Sequence, residues 1–470
     1  MAASGLSGLG LNWIGHGLTR ITDEAERFLN ESTLRVAITG LSRSGKTVFI
    51  TSLIANLLAM GRGRDTLPAL SRQMAQGESR RIRSVRLEPA GTQALDWFDA
   101  ADKLRDLAGG SPHWPPRTSD LASASLTLTV ERSGPFGTWL PPRRVRLELL
   151  DYPGEWLLDL PLLGQSHGEW SEATLEMLRQ PPRAGVAGDF LAFLASLDSS
   201  APAEEAVARR GFILYREMLM TARDRLGLRF LQPGRFLVPG PKGDSPMMWF
   251  FPLPGRGSPA PGSLRELLAR RFDAYRDDMR DSYFDPWFAR FDRQVVLVDA
   301  LGALCAGEGP FEDARHAVAE IARAYDSRSR NWLGFSSLRR VAFVASKSDH
   351  VPEAQRPAFE SLFRAMVGGG DGGRSVNHLA VSALRCTEEG PAREGEAPVV
   401  YGVPMGETRR RPFRPGHIPA MPPPVGDAFW RRPYFELPVF RPPVIDPDGR
   451  EGMPHIGMDR LLAWLLEDAL

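Results

Sequence analysis

Residues 40–47 read Gly-Leu-Ser-Arg-Ser-Gly-Lys-Thr and match the pattern G-x-x-x-x-G-K-[ST] at every position. An apolar run at 34–39 precedes this octapeptide, and residues 46–60 follow it with apolar side chains at helical spacing. A glycine-rich turn between a strand and a helix points successive backbone N–H groups inward, and the helix N-terminus adds partial positive charge. The octapeptide therefore predicts a phosphate-binding loop rather than an ordinary Gly-Ser turn.

The side chains of this loop have separate expected tasks. Lys46 is expected to neutralise the β- and γ-phosphate oxygens of a nucleotide, and Thr47 to offer its hydroxyl to Mg²⁺. Arg43 has two interpretations, a built-in catalytic cation beside the phosphates or a solvent-facing side chain. The residues expected to bind the nucleotide in this segment are Gly40, Ser42, Arg43, Ser44, Gly45, Lys46, Thr47 and Val48.

A second element, Asp151-Tyr152-Pro153-Gly154, follows a predicted strand at 145–150 and matches D-x-x-G. An aspartate at the carboxyl end of a strand beside the loop can hold Mg²⁺, so Asp151 is the second expected metal ligand. Gly154 has no Cβ, which lets its backbone N–H approach a γ-phosphate closely. Alone, D-x-x-G is a common turn, but its position after the loop and at the end of a strand favours the magnesium interpretation.

Two later elements predict recognition of a guanine base. Ser346-Lys347-Ser348-Asp349 follows a β-rich run at 341–345 and resembles [NT]-K-x-D, with serine at the first position. Asp349 would accept hydrogen bonds from guanine N1–H and the N2 amino group, which adenine lacks, and Lys347 would cover the base with its stem. Ser382, Ala383 and Leu384 resemble the loop whose backbone N–H meets guanine O6. The alternative for 346–349 is a solvated loop after a strand.

Glu155 and Thr118 complete the set of catalytic candidates. Glu155 stands where many GTPases place a water-orienting glutamine. A carboxylate can order water but repels a γ-phosphate unless its charge is compensated, so this departure predicts slow turnover. A switch threonine is expected between the helix at 46–60 and Asp151, and Thr118 in a loop at 109–118 is the candidate, with Thr92 as the alternative.

The order of apolar runs predicts an α/β fold with a mainly parallel sheet and helices on both faces. Further strands are predicted at 84–88, 126–131, 294–298 and 379–382, with an irregular stretch between the first two. The predicted divisions are an N-terminal helix at 1–30, a nucleotide-binding domain in two parts at 31–163 and 293–390, an inserted helical domain at 164–292, and a proline-rich arm with a C-terminal helix at 391–470.

The composition and net charge of the chain limit the classes of partner and the cellular compartment that we expect for it. The 58 basic and 57 acidic residues give a net charge of +1, so no global field draws the protein to nucleic acid or anionic lipid. Two cysteines, Cys305 and Cys386, provide neither a disulfide framework nor a zinc site and indicate a reducing compartment. We predict no export signal and no transmembrane segment, and therefore a cytoplasmic protein. An apolar stripe within 11–21 leaves a peripheral membrane contact as the alternative to packing on the protein itself.

The sequence resembles the YcjX family of bacterial P-loop GTPases over nearly its full length. The residues that carry the resemblance are VAITGLSRSGKTVFITSL around the loop, HWPPRT at 113–118, LDYPGEWLLDLPLL at 150–163, PGRFLVPG at 233–240 and HIGMDRLLAWLLEDAL at the end. The resemblance implies a G-domain core with helical insertions and GDP or GTP as ligand. It also implies a link to stress response and an unidentified protein partner associated with the inner membrane.

Three functions follow from these patterns. The first is a Mg²⁺-dependent GTP-hydrolysing switch, in which the segment after Asp151 and the loop near Thr118 order around the γ-phosphate. The second is a nucleotide-binding scaffold that hardly turns over and presents a surface to a protein partner, as Glu155 suggests. The third is a P-loop kinase for a small metabolite, which would not need Asp349.

Overall fold

The computed structural model describes residues 31–77, 79–89, 95–109, 112–116, 121–133, 141–240, 243, 245–255, 257–287, 290–325, 338–368, 375–390, 399–431 and 438–470. The helix predicted for 1–30 and the switch candidates Thr92 and Thr118 lie outside these residues. The strands are β1 (Glu31–Gly40), β2 (Ser79–Leu87), β3 (Asp96–Trp97), β4 (Ala122–Arg132), β5 (Arg143–Asp151), β6 (Arg293–Val298), β7 (Arg340–Ala345), β8 (Val376–Ala380), β9 (Thr387–Gly390), β10 (Val399–Gly402) and β11 (Arg411–Phe413).

Helices connect most of these strands. They are α1 (Lys46–Met60), α2 (Pro68–Gln76), α3 (Ala100–Ala108), α4 (His167–Leu178), α5 (Gly188–Ala195), α6 (Glu205–Arg225), α7 (Leu264–Met279), α8 (Ala300–Cys305), α9 (Glu308–Ala324), α10 (Arg356–Val367) and α11 (Met458–Leu466). A 3-10 segment, Gly154–Gly164, follows β5, and α7 continues through a π-turn at Arg280–Phe284 into a short turn at Asp285–Trp287.

The described strands form an eight-stranded sheet in the order β2-β4-β5-β1-β6-β7-β8, with β3 beside β4. Strand β1 is parallel to β5 and β6, and β6, β7 and β8 continue the parallel set. Strand β4 is antiparallel to β5 and β2. The sheet is therefore mixed and mostly parallel, and the predicted α/β fold class is confirmed. The carboxyl ends of five neighbouring parallel strands meet at one edge, where ligands bind in folds of this type.

Alternate residues of the central strands face two cores. On one side, Val296 and Val298 belong to a core with Trp170, whose ring stacks on Phe272 with centroids 5.3 Å apart. On the other side, Val295 and Leu297 pack with α1 and α11. Successive strand residues point to opposite faces, so runs that are apolar at every position mark strands covered on both faces.

Helices α4 to α7 lie between β5 and β6 in the chain, within the segment predicted as a helical insertion. Their apolar faces share a continuous core with one face of the sheet. Asp159 of the 3-10 segment bonds to the connection between α6 and α7 and to α7 itself. Its carboxylate accepts hydrogen bonds from the backbone N–H of Gly234 at 2.7 Å and from the hydroxyl of Tyr275 at 2.5 Å. The boundaries proposed for separate domains remain a prediction.

The stretch predicted to be irregular between β2 and β4 contains α3 and the short strand β3, so that prediction is wrong. Helix α3 begins where Asp99 accepts a hydrogen bond from the backbone N–H of Asp102 at 2.9 Å. Its buried residues Ala100, Leu104 and Leu107 recur at helical spacing. The run is only three turns long, which is why surrounding loop residues obscure its periodicity.

The C-terminal part of the chain packs on the body through polar and apolar contacts. Strands β9, β10 and β11 form a small antiparallel sheet that the proline-rich sequence did not predict. The buried Arg293 of β6 donates from Nε to the carbonyl of Leu465 at 2.9 Å and from Nη2 to Asp468 at 2.5 Å. These bonds hold α11 against the central strands.

Candidate functional site

The phosphate-binding loop predicted at 40–47 connects β1 to α1 at the carboxyl edge of the sheet. Its first turn is held by the backbone N–H of Leu41, which donates to Leu297 of β6 at 3.1 Å. Gly45 precedes α1 with φ of 79°, a left-handed conformation that favours glycine. Arg43 also has a positive φ, 68°, and its side chain is exposed at the tip of the loop.

Lys46 and Asp151 lie together beneath this loop. The ammonium Nζ of Lys46 is 2.7 Å from Oδ1 of Asp151 and 2.5 Å from the carbonyl oxygen of Tyr152. The side chains are 10% and 1% exposed. Parallel pairing places Ile38 opposite Asp151, so the ends of β1 and β5 are adjacent. The structure therefore brings together the lysine and the aspartate that the two motifs single out.

Gly154 packs directly on the phosphate-binding loop. A Cβ at this position would lie 2.1 Å from the carbonyl oxygen of Gly40 and 3.0 Å from the backbone nitrogen of Leu41. Both contacts are with backbone, so no side-chain movement could relieve them. Glycine is required here because the chain after β5 passes against the loop.

Asp349 is buried at the far end of the site and is held by its neighbours. Its Oδ1 accepts from the hydroxyl of Ser382 at 2.8 Å, and its Oδ2 accepts from the backbone N–H of Cys386 at 2.9 Å. The hydroxyl of Thr387 donates to the backbone carbonyl of Asp349. These bonds link the two predicted base-reading segments. The prediction of a strand extending to residue 382 is wrong, because β8 ends at Ala380 and Ser382 belongs to the following loop.

Lys347 adopts a left-handed conformation with φ of 61° and forms an ion pair with Asp299. Its Nζ lies 2.6 Å from Oδ2 of Asp299. The other carboxylate oxygen of Asp299, Oδ1, accepts a hydrogen bond from the backbone N–H of Gly302 at 2.9 Å. Burial would raise the pKa of Asp299, but the charge and hydrogen bond of Lys347 and the N–H of Gly302 hold it below its usual range. The sequence analysis missed Asp299, although it follows the predicted strand β6 directly.

A cavity of about 1110 Å³ connects these elements. The residues that line this cavity and were predicted from the motifs are Gly40, Ser42, Arg43, Ser44, Gly45, Lys46, Thr47, Val48, Gly154, Glu155, Lys347, Asp349, Ser382, Ala383 and Leu384. Asp151 lies buried behind Lys46. Thr118 is outside the described residues, although Trp114, Pro115 and Pro116 of the same predicted loop line the cavity.

Two segments that the motifs did not indicate also line this cavity. Both segments, Arg223 at the end of α6 and residues 237–240, belong to the helical part. The indole Nε1 of Trp156 donates a hydrogen bond to the carbonyl of Val238 at 2.8 Å. The sequence PGRFLVPG was the signal for the second of these segments. Arg223 had no local signal, because it is one of many arginines in an amphipathic helix.

The C-terminal arm closes the cavity near the base-reading segments. Pro438, Val439 and Phe440 line it, and the ring of Phe440 packs edge-on against His350 with centroids 5.0 Å apart. The indole Nε1 of Trp114 donates to the carbonyl of Phe440 at 3.0 Å. The arm therefore contacts both the segment after β7 and the loop predicted to hold the switch threonine.

The donors present fit a magnesium ion bound together with a phosphorylated ligand. Within the described part of the chain, no group of three or more His, Cys, Asp or Glu side chains could hold a metal alone. Mg²⁺ in nucleotide sites is held by one or two protein oxygens, phosphates and water. The hydroxyl of Thr47 and the carboxylate of Asp151 are such oxygens. The buried hydroxyl Oγ of Ser42 has no hydrogen-bond partner among the described residues, which also fits a ligand in the loop.

The sheet, the helices on both faces and the glycine-rich loop at the strand ends define an α/β protein of the P-loop GTPase-like fold. The chain belongs to the YcjX-like family, DUF463, whose model matches residues 34–470. It is 30% identical over 479 residues to the Ras-like GTPase YcjX of Escherichia coli strain K12, an alignment that covers 96% of this chain and 100% of that protein. It is also 30% identical over 485 residues to the Ras-like GTPase YcjX of Shewanella oneidensis strain MR-1, covering 96% and 98%.

Among the described helices, none is both long enough and apolar enough to cross a lipid bilayer.

Proposed function

We propose that this protein binds GDP and GTP with Mg²⁺ and hydrolyses GTP as a conformational switch. The observation that carries the proposal is the shared cavity, which joins Lys46 of the phosphate-binding loop to Asp349 of the base-reading segment. The names of the two curated relatives support the same nucleotide and reaction. A kinase for a small metabolite would not need a buried carboxylate at the base end of the cavity.

The residues divide the work of binding between the two ends of the cavity. Backbone N–H groups of 41–47 and the ammonium of Lys46 bind the phosphates, and the backbone N–H of Gly154 approaches the γ-phosphate. Thr47 and Asp151 would hold Mg²⁺, which when bound would neutralise part of the negative charge of the phosphates. Asp349 accepts from guanine N1–H and N2, with its carboxylate oriented by Ser382 and Cys386. Ala383 offers its backbone N–H to O6.

The switch follows from the position of Gly154. The 3-10 segment Gly154–Gly164 begins against the phosphate-binding loop and continues into the core of the helical part. A γ-phosphate that engages the backbone N–H of Gly154 would hold this segment, and its loss would release it. Thr118, which lies outside the described residues, remains the predicted switch threonine.

Calorimetric titration with GDP, GTP and ATP tests the choice of base. We expect ATP to bind at least about 100-fold more weakly than GTP, because a carboxylate left without its donors is costly. Asp349→Asn replaces an acceptor with a donor and should exchange GTP for XTP, whose base carries an oxygen at C2. The exposed Asp189→Asn is the control. Equal binding of ATP and GTP by the unmodified protein would overturn the proposal, and Lys46→Ala should abolish binding of all three nucleotides.

Glu155 supports a second function, a nucleotide-bound scaffold that hardly turns over, because its carboxylate stands beside the γ-phosphate position. A single-turnover measurement with GTP and Mg²⁺ separates the two functions. Prompt release of phosphate would exclude the scaffold function, and retention of intact GTP over hours would exclude the hydrolytic function. On the family resemblance alone, we also propose a stress-related role with a protein partner at the inner membrane. GTP-dependent recovery of the protein with inner-membrane fractions tests that part.

A further inference from the structure

Helix α6 ends at the nucleotide cavity and contributes a cation to it. Arg223, in the last turn of α6, lines the cavity together with Lys46, Gly154 and Glu155. Its side chain is 14% exposed. Of the described residues that the helical part contributes to the cavity, Arg223 carries a charge, whereas residues 237–240 are apolar or glycine. An arginine from a separate part of the chain therefore lines the same cavity as the phosphate-binding loop.

The guanidinium of Arg223 is oriented by its neighbour in sequence. Its Nε donates to Oδ1 of Asp224 at 2.9 Å and its Nη2 donates to Oδ2 at 3.0 Å. The hydrogen bonds of Asp224 raise the pKa of Arg223 against the opposing effect of burial, and the charges of Asp224 and Glu155 add to the rise. Asp224 is 49% exposed, so water screens its charge. Arg223 and Glu155 line the same cavity, and the negative charge of Glu155 contributes to the raised pKa of Arg223.

The other cations of the phosphate end are placed differently. Lys46, which lies beside Asp151 beneath the loop, is assigned to the β- and γ-phosphates, and the side chain of Arg43 is exposed. Glu155 needs a positive partner if a γ-phosphate is to lie beside it, because two anions at close range repel each other in a partly buried site. Arg223 is the described side chain whose position and charge meet that need.

We propose that Arg223 is a catalytic residue, a cation that the helical part supplies to the γ-phosphate while offsetting the charge of Glu155. This inference rests on the proposed GTP hydrolysis. In that reaction, the oxygen of water forms a bond to the γ-phosphorus and the bond from phosphorus to the β–γ bridging oxygen breaks. The bonding electron pair stays on the β-phosphate of GDP, and the proton lost by water leaves with inorganic phosphate. Arg223 stabilises the negative charge that spreads over the γ-oxygens during this transfer.

Single-turnover hydrolysis and nucleotide affinity of Arg223→Ala and Arg223→Lys test the proposal. We expect Arg223→Ala to slow phosphate release by roughly 10³-fold, because an arginine at a transferring phosphoryl group acts mainly in the transition state. GDP affinity should change by less than about threefold, since the ground state gains little from this contact. Arg225→Ala, an exposed arginine two residues further along α6, is the matched control and should behave as the unmodified protein.

Binding of GDP with fluoroaluminate gives a readout that does not depend on turnover. The unmodified protein and Arg225→Ala should form this transition-state mimic, and Arg223→Ala should lose it while still binding GDP. In a Glu155→Gln background, the loss of hydrolysis rate caused by Arg223→Ala should be about tenfold smaller, because the negative charge that Arg223 offsets is gone.

The outcomes separate this inference from the proposed function. Hydrolysis by Arg223→Ala at the rate of the unmodified protein would overturn the role of Arg223 and leave GTP hydrolysis intact. An equal loss of GDP affinity and rate would show a structural role for Arg223 and would also overturn the inference. Absence of hydrolysis and of the fluoroaluminate complex in the unmodified protein would remove both proposals.

Discussion

The ammonium of Lys347 lies 2.6 Å from the carboxylate of Asp299, so a residue at the end of β6 holds the lysine that follows β7. The pair couples two neighbouring strand ends at the base end of the cavity. Lys347 is 38% exposed and Asp299 6%, which places the carboxylate beneath the ammonium. Asp299 therefore fixes the direction of a side chain that the motif alone leaves unrestrained.

Asp299→Asn should weaken GDP binding by about tenfold, because it removes a charge-assisted hydrogen bond that orients Lys347. Asparagine still accepts from the N–H of Gly302 and so retains the cap of α8. The measurement is calorimetric titration, accompanied by urea unfolding to confirm unchanged stability. Asp99→Asn changes an equivalent cap at α3, away from the cavity, and should leave GDP affinity unchanged. Unaltered GDP binding in Asp299→Asn would contradict the role given to this ion pair.

Gly154→Ala should lose the preference for GTP over GDP and destabilise the fold by about 1–3 kcal/mol, because the new Cβ overlaps the backbone of Gly40. Titration with GDP and a non-hydrolysable GTP analogue, together with thermal unfolding, measures both effects. Gly188→Ala, at the exposed start of α5 where a Cβ meets nothing within 4 Å, is the control. A variant with normal stability and normal discrimination would show that the loop and the 3-10 segment separate readily.

His167 should make the fold less stable in acid. Burial lowers its pKa to about 4 despite a hydrogen bond with the carbonyl of Phe251 at 3.0 Å. As the pH falls from about 6.5 to 4, the unfolded chain takes up a proton before the folded one, so up to about 3 kcal/mol of stability is lost. His167→Gln keeps a donor for Phe251 and should remove this loss in urea unfolding across that range. The exposed His417→Gln should keep it, and an unchanged slope in His167→Gln would refute the assignment.

Asp159, unlike His167, should make the fold more stable in acid. Burial raises its pKa from 3.8 to about 6, even though Tyr275, Gly234 and Arg235 favour the charged form. Between about pH 4 and 6 the folded chain holds a proton that the unfolded chain has lost, so stability falls by up to about 3 kcal/mol as the pH rises through this range. Asp159→Asn should therefore show a steeper loss on acidification than the unmodified protein, while Asp189→Asn should match it. Parallel pH profiles for Asp159→Asn and the unmodified protein would contradict the prediction.

Trp114→Phe should loosen the arm without unfolding the body. Phenylalanine keeps an aromatic ring but removes the donor to the carbonyl of Phe440, a bond worth about 1 kcal/mol, so exchange of the Arg441 amide, which donates to the carbonyl of Val403, should accelerate roughly fivefold. Hydrogen exchange measured by mass spectrometry checks this. Trp430→Phe removes an equivalent bond, to the carbonyl of Pro424, and should leave exchange of the Arg441 amide unaffected. Equal protection in both variants would show that Trp114 does not hold the arm.

Local patterns predicted the central elements of this fold. Strands β1, β5, β6 and β7 are short runs whose apolar residues face two cores, and α1 spans the predicted 46–60. Their motifs lie at strand ends, so the parallel sheet itself brings them to one edge. That is why most of the residues predicted for the site line a single cavity, with Asp151 buried behind Lys46.

The rest of the site depends on contacts between distant segments. Arg223 enters from α6, and Phe440 from the arm, through packing that no local pattern records. Asp299 follows a predicted strand, but its partner Lys347 lies on the next strand end, so its role appears only when the two are adjacent. The small sheet β9 to β11 was missed because its strands are only three or four residues long, too short for an alternating pattern, and β11 also contains a proline, which edge strands tolerate.

The contact between Phe440 and the segment after β7 has a consequence for synthesis. The phosphate end of the pocket is built from residues 40–47, from 151–154 and from Leu297, whereas residues 438–440 line its base end. A ribosome-bound chain can therefore present a phosphate cradle long before it can enclose a base. The proposed capture of guanine would therefore be completed only after residue 440 has emerged.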